Sequence, residues 1–600
     1  MANLEVERTI QEELSFPILL GDRIMRAAQE AESLRMRPDC AELAKQVEHL
    51  SAMLRSVVKL ASATPSLYEP PVRRIVAEVS KNLERALTLV RKCKKHSGVL
   101  RQVFSITSTA DFRKVSNLLE SSIGDMKWLL SILNSDGGID LTLPPIASND
   151  PILAWVWSCI ATIQMGQLKD RAEAANELGS IAKDNERNKI IIMEESGILP
   201  LLKLLKESAS PDAQLAAANV LINIAADQER VVDFIVTSLG VPIVVQVLGD
   251  SPMRVQVAVA NLVSKMAEQG PIAQEEFVRA NVTRPLISLL SMDTVLSDPM
   301  LQAGRASIHS LVVNLSSSGK SSFSANSDHG SSRGSGHYRK EREVESSEMK
   351  KNIKISCAEA LWKLSRGSLS TSKKITETKG LLCLAKMIET ETDQLQLNCL
   401  MAVMEIAAVA ESNADFRRVA FKPTAPAAKA VLDQLLRVIQ QENNPALRIP
   451  AIKSIGSVAR NFPGKVPQII GPLVAQLGNR DVDVAIEAAI ALGKFVCPDN
   501  YNFAYHSNTI MEFNGVPGLM RLLRVNDRAK KHGLVLLCYL AINVGNNKVL
   551  EQEHALSTLE GLARPVIAQH PELKDLFAKA IHNLTLYQTG AQLHRPPFVS

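Results

Sequence analysis

Aromatic residues are scarce in this chain. Phe, Trp and Tyr make up 4% of 600 residues, against 46% hydrophobic residues in all. The apolar mass is therefore Leu, Ile, Val and Ala, which pack helices, whereas β-rich folds carry more Tyr, Phe, Trp and Thr. A charge excess is lacking too. The net charge of +5 does not mark a dedicated nucleic-acid binder. The eight cysteines (Cys40, Cys93, Cys159, Cys357, Cys383, Cys399, Cys497 and Cys538) contain no CxxC pair, so reduced thiols are expected rather than disulfides or zinc. No apolar run approaches the ~20 residues that span a bilayer. The opening MANLEVERTIQEEL is acidic, without the basic-then-apolar layout of a signal peptide. These absences predict a soluble intracellular protein, in which the sequons at Asn281, Asn314 and Asn583 carry no glycan.

Catalytic signatures fail on context. Gly330-Ser-Ser-Arg-Gly334 fits G-x-S-x-G, but it lies in low-complexity sequence rather than on a strand-to-helix turn. Gly319-Lys-Ser321 ends like a phosphate loop, yet Asn314 stands where the first glycine belongs. HExxH and metal-spaced Cys/His clusters are missing. The reading is a non-enzyme with no catalytic, cofactor or metal-binding residue.

What the chain does have is helical periodicity and repetition. Its length exceeds what one core normally serves, which predicts several domains or a repeat array. Four amphipathic stretches, Phe16–Leu34, Asp39–Ala63, Pro71–His96 and Thr109–Leu133, fill residues 1–135 and predict an antiparallel four-helix bundle. A Gly- and Pro-rich linker, 136–149, follows. Beyond it, GILPLLKLL at 197–205, GVPIVVQVL at 240–248 and VTRPLISLL at 282–290 begin 43 and then 42 residues apart. Variants return at 380–388 and 515–523. Each run precedes a second helix closing in an L-x-x-[IL]-A-like pattern. Helices alone at a period near 42 are the armadillo signature. The leading glycine is read as the residue that turns the chain between helices. The predicted fold is all-α: the bundle, then an armadillo-repeat α-solenoid over 150–590 with eight or nine repeats, then a tail, 591–600. An insert at 316–351, with ten Ser in its first 22 residues, is expected to be disordered. Helices ending near Leu315 and Leu364 flank it, and either can complete the third repeat.

A solenoid's concave wall is its usual binding surface. The slot before each closing [IL]-A holds Ser180, Asn223, Lys265, Asn314, Lys363, Glu405, Ser457, Lys494, Asn543 and Asn583. In importin-α the same slot carries an Asn ladder that grips peptide backbone. Asn223, Asn314, Asn543 and Asn583 are therefore candidate groove residues, although such Asn often bond their own repeat's backbone. Lys265, Lys363 and Lys494 would make parts of the wall basic. The importin Trp four residues earlier is missing, Asn219 and Asn261 standing there in two repeats. Residues 71–114 hold eleven Lys/Arg against three acids. That run is ordinarily a solvated face. Its tightest cluster, Arg91, Lys92, Lys94 and Lys95, is also a candidate patch for anionic lipid or an acidic partner. At about 1 kcal/mol per basic side chain near an anionic leaflet, four give a millimolar-scale attraction, so stable attachment needs a second contact.

The opening MANLEVERTIQEELSFPILLGDRI, the segment DMKWLLSILNSDGGIDLTLPPIASNDPILAWVWSCIATIQMGQL and the repeats after it resemble the plant armadillo-repeat-only family. The likeness covers essentially the whole chain and is most specific over Trp128–Leu168, including Trp155 and Trp157. It implies a non-catalytic scaffold of polarised, tip-growing cells, associated with the plasma membrane and with Rho-of-plants GTPase signalling. The implied partners are exchange factors and activating proteins. The implied location is cytoplasm and plasma membrane, with the nucleus also open. No U-box or F-box precedes the repeats. An importin-α-type transport receptor is the alternative, against which stand the missing Trp ladder and autoinhibitory arm.

Overall fold

In the computed structural model the described residues are 9–32, 38–64, 66–95, 109–134, 142–183, 185–294, 346–462 and 467–593. Among them all regular structure is helical. Two compact units divide at Leu262/Val263, inside the helix Met253–Gln269.

The first unit begins with four long helices: α1 Ile10–Glu32, α2 Pro38–Ala63, α3 Glu69–Lys95 and α4 Thr109–Leu133. Helix α1 starts six residues before the sequence pattern suggests, because Thr9 and Glu12 form a capping box. Thr9 N donates to Glu12 Oε2 at 3.0 Å and Glu12 N to Thr9 Oγ1 at 3.3 Å. Pro17 is carried inside the helix. Helix α1 packs on α2 and α3, and α4 packs on the same two. The core includes Leu14, Ile24, Leu43, Leu50, Leu54, Ile75, Leu83, Leu119 and Leu129. Five linking residues reach at most ~20 Å, less than the ~34 Å length of α1. Two packed helices joined so closely must run antiparallel.

Helix α5, Pro151–Met165, opens the solenoid. From there the repeats run as a short, a middle and a third helix, as in Glu186–Glu194, Ile198–Lys206 and Pro211–Ala225. In the first unit the third helix Leu168–Ala182 packs along Pro211–Ala225. In the second unit Ser347–Ser365, Asp393–Ser412, Pro445–Ser457, Val482–Val496, Asp527–Val544 and Lys574–Leu593 pack each on the next. This is the all-α armadillo-type solenoid that the period predicts.

The turn between short and middle helix departs from expectation. The positive φ belongs to the residue before the run's first residue: Ser196 62°, Leu239 58°, Lys379 60° and Asn514 54° before a glycine, and Asn281 58° and His554 55° before Val282 and Ala555. Gly197 itself has φ −72°. What it lacks is room, since an added Cβ would stand 2.8 Å from Ile192 Cγ2 and 2.9 Å from Ile192 O.

The insert ends earlier than expected. Ser346 Oγ accepts from Met349 N at 3.2 Å, and residues 347–351 form the first turns of Ser347–Ser365. Ion pairs hold that charged start: Lys350 to Asp293 at 2.9 Å, Lys351 to Asp393 at 3.6 Å and Lys354 to Glu391 at 3.3 Å. This helix packs on the middle helix Thr283–Leu290 and so completes the third repeat. The rest of the insert and the helix expected near Leu315 lie outside the described residues. Asp393–Ser412 is long and apolar enough in composition to cross a bilayer, contrary to the expectation that no such run exists. It packs between Ser347–Ser365 and Pro445–Ser457 with Leu395, Cys399, Val403 and Ile406 buried, the surroundings of a core helix.

Candidate functional site

The slot residues on the third helices serve neighbouring repeats. A helix leaves its last carbonyls without intrahelical donors, and an Asn on the next third helix supplies one. Asn223 Nδ2 donates to Gly179 O at 3.2 Å. Asn543 Nδ2 donates to Val496 O and Ser507 Oγ, both at 2.9 Å, and Asn583 Nδ2 to Ile542 O at 2.8 Å. Each amide reaches a carbonyl of the preceding repeat, and Asn543 also bonds Ser507 of its own repeat. All three are half-buried. Asn314 lies outside the described residues.

Each of the three lysines has an acidic partner, Lys265 and Lys363 sharing one. Lys363 Nζ meets Glu268 at 2.6 Å and lies 4.3 Å from the centre of the Trp362 ring. Lys265 pairs with the same Glu268 at 3.6 Å, and Lys494 with Glu411 at 2.6 Å. The Lys363 hydrogen bond holds the Glu268 carboxyl below its usual range. Nearby Glu405 is half-buried, and burial raises its pKa against the opposing pull of Arg366 and the Trp362 indole. Further along, Arg528 bridges Asp483 at 2.7 Å and Glu487 at 2.8 Å, and Glu487 also faces Lys453 at 3.8 Å. Along the second unit's third helices, these basic side chains stand beside acidic ones.

In the bundle, Arg91 and Lys92 are exposed near the end of α3, and Lys94 and Lys95 belong to the same helix. Other members of the basic run are engaged. Arg73 pairs with Glu13 at 2.5 Å and Glu69 at 2.7 Å, Lys81 with Glu78 at 3.2 Å, and Arg85 donates to Asn82 Oδ1 at 2.9 Å.

Sequence reasoning passed over the joint between bundle and solenoid. Glu195, 5% exposed, receives Trp157 Nε1 at 2.7 Å and Arg74 Nη2 at 2.6 Å on its carboxylate, and Tyr68 OH at 2.7 Å on its carbonyl. The Arg74 guanidinium lies 5.3 Å from the Trp157 ring centre, and Trp128 from α4 packs 5.9 Å from Trp157. Gln164 Nε2 donates to Ser66 O at 2.8 Å, and Asp125 accepts from Ile146 N at 2.7 Å. Only the Trp-rich composition of 128–157 signalled this place.

The described cysteines are unbridged. Burial pushes the Cys159, Cys383 and Cys538 thiols up to about 12, which leaves them unreactive. Among the described residues no cluster of three or more His, Cys, Asp or Glu could hold a metal ion.

A profile described as a domain of unknown function (DUF7792) matches residues 11–134, the bundle and nothing beyond it. No curated protein matches the chain. Among solved structures, an engineered protein is similar at 20% identity over 72% of this chain and 99% of its own, with a TM-score of 0.45. A designed armadillo repeat protein in complex with the peptide (KR)4 is similar at 15% identity over 50% of this chain and 98% of its own, TM-score 0.37. Computationally designed armadillo repeat proteins for modular peptide recognition are similar at 15% identity over 51% and 99%, TM-score 0.36. The fold assignment stands on the helix order and packing of this chain.

Proposed function

We propose that this chain is a non-catalytic scaffold that holds partner proteins on the wall of its third helices. The observation that carries the reading is the side-by-side packing of those helices, Leu168–Ala182 on Pro211–Ala225 in the first unit and Ser347–Ser365 through Lys574–Leu593 in the second, which presents a row of half-exposed side chains. A stack of repeats supports such a surface because each repeat leans only on its neighbours. On the resemblance around Trp128–Leu168, the partners are exchange factors and activating proteins of Rho-of-plants GTPases, gathered at the plasma membrane of tip-growing cells. The exposed Arg91 and Lys92, with Lys94 and Lys95, address an anionic membrane from the bundle.

Crosslinking and affinity purification of the full chain from growing tip cells tests the partner reading. GTPase regulators crosslinked to wall lysines such as Lys265, Lys453 and Lys494 support it, and crosslinks confined to the short helices sink it. Changing Arg91, Lys92, Lys94 and Lys95 together to Gln keeps helix propensity and removes charge. Sedimentation with anionic liposomes should then drop sharply, and the wild-type signal should fade with salt as screening shortens. Undiminished sedimentation of the four-Gln variant would move the membrane address elsewhere.

A further inference from the structure

The third helix Asp527–Val544 begins with charges of the wrong sign for its end. A helix N-terminus carries positive partial charge and favours acidic residues, yet this one opens Asp527, Arg528, Ala529, Lys530, Lys531, His532. Two of its cations are engaged. Arg528 is held by Asp483 and Glu487, and Lys530 pairs with Asp527 at 3.0 Å. Among the described residues Lys531 has no carboxylate at ion-pair distance. Its Nζ lies instead 3.3 Å from Nδ1 of His570, the residue that follows the last middle helix, Ala555–Gln569.

That nitrogen has a second claimant, Glu572 Oε1, also at 3.3 Å. A bare Nδ1 accepts from Lys531, and only Nδ1–H donates to Glu572, so one charged neighbour always lacks its bond. Glu572 is exposed, with water to satisfy it, whereas Lys531 is half-buried. A charge drawn out of water without a partner is costly. The conflict ends only if Lys531 meets an acceptor other than His570, which then donates Nδ1–H to Glu572.

Both lysines border a cavity of about 70 Å³, lined also by Gln569 and His570 and by the apolar Leu562 and Val566. Asp527 is the one carboxylate on it, and Lys530 already takes that charge. The lining therefore offers ammonium, amide and imidazole donors to an anion. A water needs about 10–15 Å³ of such space, so about five to seven water-sized atoms fit. That is the size of a central atom with four oxygens, with little room for a substituent. Lysine serves as a point charge for phosphate, and the adjoining helix N-terminus adds its positive end.

We infer that this cavity binds a free tetrahedral oxyanion of the phosphate class through Lys531, with Lys530 and Gln569 beside it, and that the anion clips Ala555–Gln569 to the third helix it packs on. The site is independent of whatever the third-helix wall holds. The test titrates inorganic phosphate into the full-length protein by calorimetry, with sodium chloride adjusted to keep pH and ionic strength constant. Wild type is compared with Lys531→Met and with Lys548→Met, a control on the exposed lysine of the short helix Lys548–Gln552. Saturable binding at one site is expected, together with a higher melting temperature than in chloride alone. Lys531→Met should weaken it by about tenfold to a hundredfold, the worth of a hydrogen bond to a charged group, and Lys548→Met should not. In chloride Lys531→Met should melt no earlier than wild type, because its ammonium gives up no ion pair, so lost binding is not lost folding. Saturable binding that Lys531→Met leaves unchanged places the anion elsewhere and overturns the site. Heats that never saturate, or that chloride reproduces, mean an adventitious ion only and overturn it too. O-phosphoserine is titrated as a separate arm. Its binding where inorganic phosphate fails would overturn the free anion and assign a phosphate carried on a side chain.

Discussion

His506 is fully buried, with Nδ1 3.1 Å from Phe495 O and its ring edge-on to Phe495 at 5.2 Å. With Nδ1–H donating to that carbonyl, Nε2 is left without a partner, and burial lowers the pKa below 6.5. The unfolded chain then binds a proton that the folded chain resists. Stability is complete above about pH 6.5 and falls as pH drops toward the folded pKa. Burial and the neighbouring Lys531 and Arg528 lower His532 in the same direction. Asp125 opposes them. Burial lifts it to about 6, so its contribution is present in acid and lost as pH rises through 6. Melting followed by circular dichroism from pH 7 to 5 should show a decline that His506→Gln makes shallower and Asp125→Asn makes steeper. A slope indifferent to both changes would place the acid response elsewhere. The inter-repeat amides give a second expectation: Asn583→Ala should cost about 1 kcal/mol for its lost bond, read as a lower denaturation midpoint. The slot was legible in the sequence, but its use was not. Gly179 and Asn223, or Lys363 and Glu268, meet only when one repeat lies on another, and no local pattern records that.

Among elements, the turn before each middle helix shows how far a sequence signal carries. The glycine-led runs revealed the repeat and its spacing. They misdirected the reading of the turn, because any residue can take the left-handed conformation at modest cost, while only glycine fits against a β-branched neighbour. Ile192, Ile235, Ile375 and Ile510 stand five residues before their glycines, each with Cγ2 within 2.8 Å of where a Cβ would be. Phe277 and Leu550, unbranched at Cβ, hold that place before Val282 and Ala555. Gly197→Ala should therefore destabilise by about 1–3 kcal/mol through overpacking. Adding Ile192→Leu should recover part of the loss, a coupling that a double-mutant cycle reads directly. Additive losses would show that the clash lies with the backbone carbonyl instead. Leu239, 74% exposed at φ 58°, is strained for its type. Leu239→Asn should raise stability by about 1 kcal/mol, checked by the urea midpoint. The early start of α1 has the same local character, since the Thr9–Glu12 box was readable and the apolar periodicity beginning at Phe16 hid it.

For the molecule as a whole, bundle and solenoid were legible as two periodicities, whereas the joint between them was not. Tyr68, Arg74, Trp157 and Glu195 lie far apart in the chain and carry no shared motif. Glu195→Ala should leave Trp157 Nε1 buried and unpaired, at about 1–3 kcal/mol. In calorimetry it should pull bundle and first repeats toward separate transitions. A single unshifted transition would show that apolar contacts such as Trp128 on Trp157 carry the joint alone. The third repeat has a different lesson. Residues 291–346 stand where its neighbours use 207–210 and 251–252, yet Ser347–Ser365 docks on Thr283–Leu290 as any third helix does. Closing a loop becomes only slowly harder with length, by about 0.6 kcal/mol per doubling. That corner is therefore a mounting point. A folded reporter grafted between residues 295 and 345, or a chain reopened there with its old ends joined, should still dock Ser347–Ser365 on Thr283–Leu290, read as an unchanged melting temperature.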